Sequence, residues 1–251
     1  MAADVSANPP WLKIFQNLGG QFVTPPPQLQ KKLIRIRALI FDWDGVFNTG
    51  EKGDHQTSSY TEPDSMGSNM LRFGLWLSHG VMPVAAVITG VENRSAMHLA
   101  RREHFQDIYF SIRNKGLAVA HLCSAHGIRP DQVACLFDDI NDLEMAQACG
   151  VRCLVARTAS PMFTRYVVRR GLTDYVTGCG PHRHGVREFC ELALAVMERA
   201  VSNLFYPAAG HFNQLLHPEG GPDQTGRQCL LMRPSMGKRG PIETRCRLSC
   251  G

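Results

Sequence analysis

The stretch Leu39-Ile40-Phe41-Asp42-Trp43-Asp44-Gly45-Val46 constrains this chain more than any other. Ala38 to Phe41 is an unbroken apolar run, the pattern of a strand buried on both faces of a parallel sheet. It runs directly into two carboxylates and a glycine. Side chains two apart on an extended segment point the same way. Asp42 and Asp44 therefore crowd one spot at the carboxyl end of a strand, where open α/β sheets place their ligands. Two like charges held there are costly unless a cation or a shared proton offsets them. A strand ending in a merely polar turn is the plainer reading, and the acids farther along the chain weigh against it.

Those later acids stand at the ends of further strands. Val84–Ile88 leads into Thr89-Gly90, and Asp107–Phe110 into Asn114-Lys115-Gly116. Val133–Phe137 ends in Asp138-Asp139, with Asp142 following in the next helix, and Arg152–Val155 and Tyr175-Val176 read as the last strands. Helices are expected between them, over about Asn93–His104, from the end of the loop that carries Lys115 through His126, over Asp142–Ala148 and from Pro161. Another spans Asp64 or Ser65 to His79, with Met66, Met70, Phe73 and Leu77 on one face, and Val186–Val201 closes the domain. Strands alternating with helices imply a doubly wound, Rossmann-like parallel sheet in the α/β class. Val46 to Glu62 is polar and turn-rich, long enough for a small β-hairpin insert and too short for a cap domain.

In such a sheet all the strand ends lie on one edge. Asp42, Asp44, Thr89, Lys115, Asp138, Asp139 and Asp142 then converge. Three or four hard oxygen donors without imidazole or thiolate suit Mg²⁺. A carboxylate can attack phosphorus to form an aspartyl-phosphate, a lysine and a metal can neutralise the oxygens on which charge builds, and a second acid can protonate the leaving alcohol and then activate water. Asp42 is placed for attack and Asp44 for proton transfer.

Asp42-Trp43-Asp44-Gly45-Val46, Ile88-Thr89-Gly90, Lys115 and Asp138-Asp139-Ile140-Asn141-Asp142 resemble, in order and spacing, the four motifs of the haloacid dehalogenase superfamily. The hairpin-sized insert, and Asp174-Tyr175-Val176-Thr177 followed by Gly185-Val186-Arg187-Glu188, are similar to its capless 3-deoxy-D-manno-octulosonate (KDO) 8-phosphate phosphatase-like group. The resemblance runs from about Ile36 to Ala200. It implies a phosphatase acting on a small phosphate ester such as a sugar acid. Asp42 would be nucleophile and metal ligand, and Asp44 general acid/base, offering the metal its backbone carbonyl. Thr89 would bind the phosphoryl group, with Gly90 beside the substrate, and Lys115 would pair with the phosphoryl group and Asp42. Asp138 would ligate Mg²⁺, while Asp139 and Asp142 would stand one step out. The group typically forms homotetramers in which a neighbour covers the open site. Three departures stand out: Phe137 where glycine is usual, Trp43 between the two aspartates, and Gly180-Pro181-His182-Arg183-His184 in place of a glycine-rich substrate loop, where Arg183 is a candidate substrate contact.

Other classes fit less well. A signalling receiver domain gathers similar residues, but its acidic pair comes first and its lysine last. A non-catalytic assembly module would be expected to have lost Asp42, Asp44 or Lys115. Of the net charge of +5, +3 lies beyond Pro207, so the folded part carries no basic stripe for nucleic acid. No apolar run approaches the roughly 18–20 residues of a membrane span, and Met1–Pro10 does not look like a secretion signal, so a soluble, cytoplasmic protein is expected. The nine cysteines contain no C-x-x-C pair and read as reduced core thiols, with Cys179, His182 and His184 as a minor candidate for a soft metal. The expected organisation is an N-terminal arm over 1–32, an α/β domain over 33–206, and a disordered basic tail over 207–251, where 12 of 45 residues are Gly or Pro.

Overall fold

A computed structural model describes residues 9–53, 58–197 and 230–232. Eight strands form one sheet in the order β1-β7-β6-β5-β2-β3-β4-β8. They are β1 (Gln21–Phe22), β2 (Ala38–Phe41), β3 (Val84–Ile88), β4 (Asp107–Tyr109), β5 (Val133–Phe137), β6 (Val151–Leu154), β7 (Tyr175–Val176) and β8 (Leu230–Met232). Only β1 runs antiparallel. The chain moves outward from β2 through β3 to β4, then returns to the other side of β2 with β5. The crevice at the carboxyl ends of β2 and β5 is therefore the point where the winding reverses, the place such sheets bind ligands.

Both faces of β2 are buried, which is why its sequence shows no alternation. Leu39, Phe41 and Trp43 point into one core, with α3 (Glu62–His79) and α8 (Gly185–Val196) packed together on that side. Ala38 and Ile40 point into the other, shared with α5 (Lys115–His126) and α6 (Leu143–Ala148). Trp43 thus leaves on the face opposite its aspartate neighbours, where it meets Phe47 and Tyr60 at ring distances of 5.3 and 6.1 Å. Phe137, unexpected at its position, is wholly buried in the α5–α6 core.

Several local expectations shift. Three prolines in a row, Pro25–Pro27, read as a break in the chain; instead Pro26 and Pro27 open the helix α2 (Pro26–Leu33), because proline tolerates the first helical turn, whose N–H groups lack intrahelical partners. Residues 10–33 supply α1 (Pro10–Asn17), β1 and α2, with β1 extending the sheet and both helices packing on α8. Thr61, not Asp64 or Ser65, caps α3, since Pro63 fits its first turn. Asp64 is instead fully buried and accepts the backbone N–H of Arg187 at 3.0 Å, tying α3 to the start of α8. Between Phe41 and Glu62 the described residues form an isolated bridge from Asp44 to Asn48 and no strand; the turn of the expected hairpin, 54–57, lies outside them. Leu230–Met232, in the stretch expected to be irregular, pairs with the β4 edge; the rest of 207–251 lies outside the described residues.

Asp174 is the polar anchor of the N-terminal segment. Its buried carboxylate accepts from Thr24 Oγ1 at 2.6 Å, Lys32 Nζ at 2.5 Å, Arg152 Nε at 3.1 Å and the Arg152 backbone N–H at 2.8 Å. Burial alone would raise its pKa, but the bonds from Arg152, Lys32 and Thr24 prevail and hold it below the usual carboxylate range. A depressed folded-state pKa stabilises above the unfolded value, and that contribution is lost as pH falls through the folded value. Asp174→Asn should therefore cost about 3 kcal/mol at neutral pH, the low end for breaking a buried pair because Lys32 is one-third exposed. Urea melts should show this deficit shrinking as the solution is acidified below the ordinary carboxylate pKa.

Candidate active site

Asp42 follows the last residue of β2, where its backbone N–H still bonds to Leu136 of β5 at 3.0 Å. Asn114 caps α5 through the N–H of Leu117 at 3.0 Å and so sets Lys115 at the first helical position. Gly116 faces the Glu144 carbonyl, and the close approach of α6 brings Asp142 within reach of that lysine. The buried Lys115 ammonium donates to Oδ1 of both Asp42 and Asp142. Oδ2 of Asp142 accepts the backbone N–H groups of Asp138 and Asp139, each at 3.3 Å.

Carboxylate oxygens of Asp42, Asp138 and Asp142 lie within 4.8 Å of one another, all three residues buried. Asp142, expected one step out, is thus a member of the cluster, while the Asp44 side chain stands outside it. Burial, then the neighbouring Asp142 charge, push Asp42 well above the usual carboxylate range against the pull of Lys115. The same two causes raise Asp138 to about 7, opposed by Arg157. Burial would lower Lys115, but Asp42 and Asp142 outweigh it and raise its pKa. Three buried hard-oxygen donors left with more negative charge than their cations offset are a fit donor set for a divalent hard cation.

Around this cluster opens a cavity of about 410 Å³ lined by every predicted strand-end residue: Asp42, Asp44, Thr89, Gly90, Lys115, Asp138, Asp139 and Asp142. Thr89 is held by backbone bonds to Tyr109 and Ile112 on either side, which sets its hydroxyl at the cavity wall. Asp44 accepts from Ser58 Oγ at 2.5 Å and from Lys52. Asp139 caps the turn after β5 through the Ile140 N–H at 2.7 Å and is nearly half exposed. Gly45 adopts φ +92°, and a Cβ there would overlap Asp138 Oδ2 and Arg157 Nη2. Gly45→Ala should therefore depress divalent-ion binding by about tenfold or more, read by isothermal titration with Mg²⁺, because Asp138 must yield its position.

Two expectations fail here. Arg183 sits in an exposed turn at Pro181–Arg183 and does not line the cavity. Cys179, His182 and His184 form no metal-ligand group among the described residues; His184 instead bonds to Thr61 and Asp64 at 3.1 and 3.3 Å. Three basic residues were missed. Arg157 pairs with Asp138 and lies 4.0 Å from Asp139, and Lys52 and Arg113 stand at the cavity wall. Arg157 follows the carboxyl end of β6, so the rule that located the acids could have found it; Lys52, on the irregular insert, had no such signal.

No family model matches the chain. Among curated proteins it is 27% identical over 172 residues to the KDO 8-phosphate phosphatase of Salmonella typhimurium, covering 67% of this chain and 84% of that protein. Two solved structures align with a TM-score of 0.59 each. One is the cobalt-bound deoxy-D-mannose-octulosonate 8-phosphate phosphatase of Haemophilus influenzae, at 23% identity over 72% of this chain and 98% of that one. The other is the Moraxella catarrhalis KDO 8-phosphate phosphatase with magnesium, phosphate and KDO, at 22% identity over 70% and 96%. The fold is that of these phosphatases, and the chain is similar in sequence to the KDO 8-phosphate phosphatase-like group of the haloacid dehalogenase superfamily. Among the described residues no helix is long and apolar enough to cross a membrane.

Proposed function

We propose that this chain is an Mg²⁺-dependent phosphomonoester hydrolase working through an aspartyl-phosphate on Asp42, with a small phosphorylated sugar or sugar acid, KDO 8-phosphate-like, as substrate. The observation that carries the reading is the convergence of Asp42, Asp138 and Asp142 on one buried spot bridged by Lys115, with Asp44 and Thr89 on the same cavity wall.

Asp42, Asp138 and Asp142 would hold the ion, which when bound supplies positive charge to the phosphoryl oxygens and cancels the repulsion among the acids. Lys115 engages Asp42 Oδ1 and orients the carboxylate for attack. As the Asp42 O–P bond forms, the ester O–P bond breaks and the leaving oxygen takes a proton from Asp44. Lys115 and the Thr89 hydroxyl meet the charge that builds on the equatorial oxygens. Asp44, now ionised, takes a proton from water as that water attacks phosphorus, which frees Asp42 and inorganic phosphate.

The reading includes a cytoplasmic homotetramer with a neighbouring copy over the open mouth. Val91, Leu117 and Ile140, each about half exposed or more and next to cavity residues, are the apolar surface such a neighbour would cover. The test is phosphate release from p-nitrophenyl phosphate and a panel of sugar phosphates, with and without Mg²⁺. Mg²⁺-dependent turnover is expected. A wild type that binds Mg²⁺ yet releases no phosphate would favour a non-catalytic assembly module on the same fold.

A further inference from the structure

Asp44 is held by a buried chain of donors that begins on another element. Asn93 caps the helix α4 (Arg94–Arg102), its Oδ1 accepting the backbone N–H groups of Ser95 and Ala96 at 2.9 and 3.3 Å. Those two bonds settle which end of the amide is oxygen, so the group facing Ser58 is the Nδ2 donor, 2.8 Å from Ser58 Oγ. Ser58 has one proton, and with its oxygen receiving from Asn93 that proton goes to Asp44 Oδ1 at 2.5 Å. Asn93 and Ser58 are 4% and 7% exposed, so neither exchanges its partner for water at low cost. Among the described residues the second Asp44 oxygen meets Lys52 alone, whose side chain is more than half exposed and free to leave.

We infer that Ser58 and Asn93 are positioning residues for the Asp44 carboxyl group: they fix Oδ1 and present Oδ2 as the oxygen that exchanges a proton with the leaving group and then with water. The chain is directional because Asn93 Nδ2 can only donate to Ser58, which leaves the Ser58 proton for Asp44. It also gives the return limb of the insert a task, since Ser58 is delivered to the site just before α3 begins. The inference rests on Asp44 acting as the acid/base in the proposed function.

The test compares two substrates of different leaving-group quality, glycerol phosphate and p-nitrophenyl phosphate, in the full-length protein with Mg²⁺. An alkoxide needs a proton to leave; nitrophenolate does not. Ser58→Ala should lower kcat/KM for glycerol phosphate about tenfold, a fraction of the ~10²–10⁴ that acid–base participation carries, and change that for p-nitrophenyl phosphate less than about threefold. Ser58→Thr keeps the hydroxyl and should restore the rate. Asn93→Asp keeps the helix-cap oxygen but replaces the donor with an acceptor, turning the Ser58 proton away from Asp44, and should mimic Ser58→Ala. Equal losses on both substrates, or none, would overturn the inference while leaving the phosphatase reading intact. A wild type inert on both substrates would bring down that reading, and this inference with it.

Discussion

Asp42→Asn should leave no measurable phosphate release and yet melt higher than wild type when divalent ions are removed. The activity loss is at least about 10⁴-fold, since a carboxamide cannot serve as the nucleophile. The stability gain follows from the electrostatics. Burial and the Asp142 charge raise the Asp42 pKa well above that of the unfolded chain, so its ionised form costs stability at neutral pH. An amide removes one of three crowded charges, and a gain of several degrees is expected, at about 2–4 °C per kcal/mol for a chain of this size. The sign also sets a pH dependence. With folded-state values raised, Asp138 to about 7, metal-free wild type should lose stability as pH climbs from the unfolded carboxylate range toward neutrality. Saturating Mg²⁺ should flatten that slope. Calorimetry with chelator and with Mg²⁺ checks both statements, and a destabilised Asp42→Asn in chelator would contradict them.

Lys115→Met carries the second large effect. The ammonium is the one donor shared by Asp42 and Asp142, and its side chain is only 6% exposed, so water cannot replace it. Methionine keeps most of the volume and removes the charge. Turnover should fall about 10²–10³-fold, the size of losing one buried electrostatic partner of the transition state. Without metal the variant should also lose stability, because Asp42 and Asp142 lose their shared cation while, among the described residues, Arg157 pairs only with Asp138 of the three. Mg²⁺ should recover much of that stability and little of the rate, a separation that steady-state kinetics and melts read directly.

What the sequence revealed follows physical period. The apolar run before Asp42 and the Thr89-Gly90 and Asp138-Asp139 strand ends were legible because each depends on residues adjacent in the chain. A parallel sheet then brings such ends to one edge whatever the loops do. Arg157 obeys the same rule one strand later, past the end of β6, beyond the strand ends from which the set was built. The role of Asp64 depends on Arg187, far away in sequence, and those of Lys52 and Ser58 on how an irregular insert folds back to the Asp44 carboxylate, so no local pattern announces them. Residues 21–33 misled for a related reason. Prolines that read as breakers became first-turn residues, and the two-residue β1 exists only because β7 offers an open edge. Asp142, read as a residue that holds a metal-bound water or orients Lys115, bonds to that lysine, and the packing of α6 against α5 also sets its carboxylate beside Asp42 and Asp138.

Phosphoryl transfer to Asp42 is open to direct capture. Protein quenched during turnover with Mg²⁺ and a phosphate ester, then reduced with borohydride, should yield homoserine at position 42 on peptide mass spectrometry, because hydride cleaves an acyl phosphate and spares a free carboxylate. Intact Asp42 throughout active turnover, or reduction at another acid, would contradict the account.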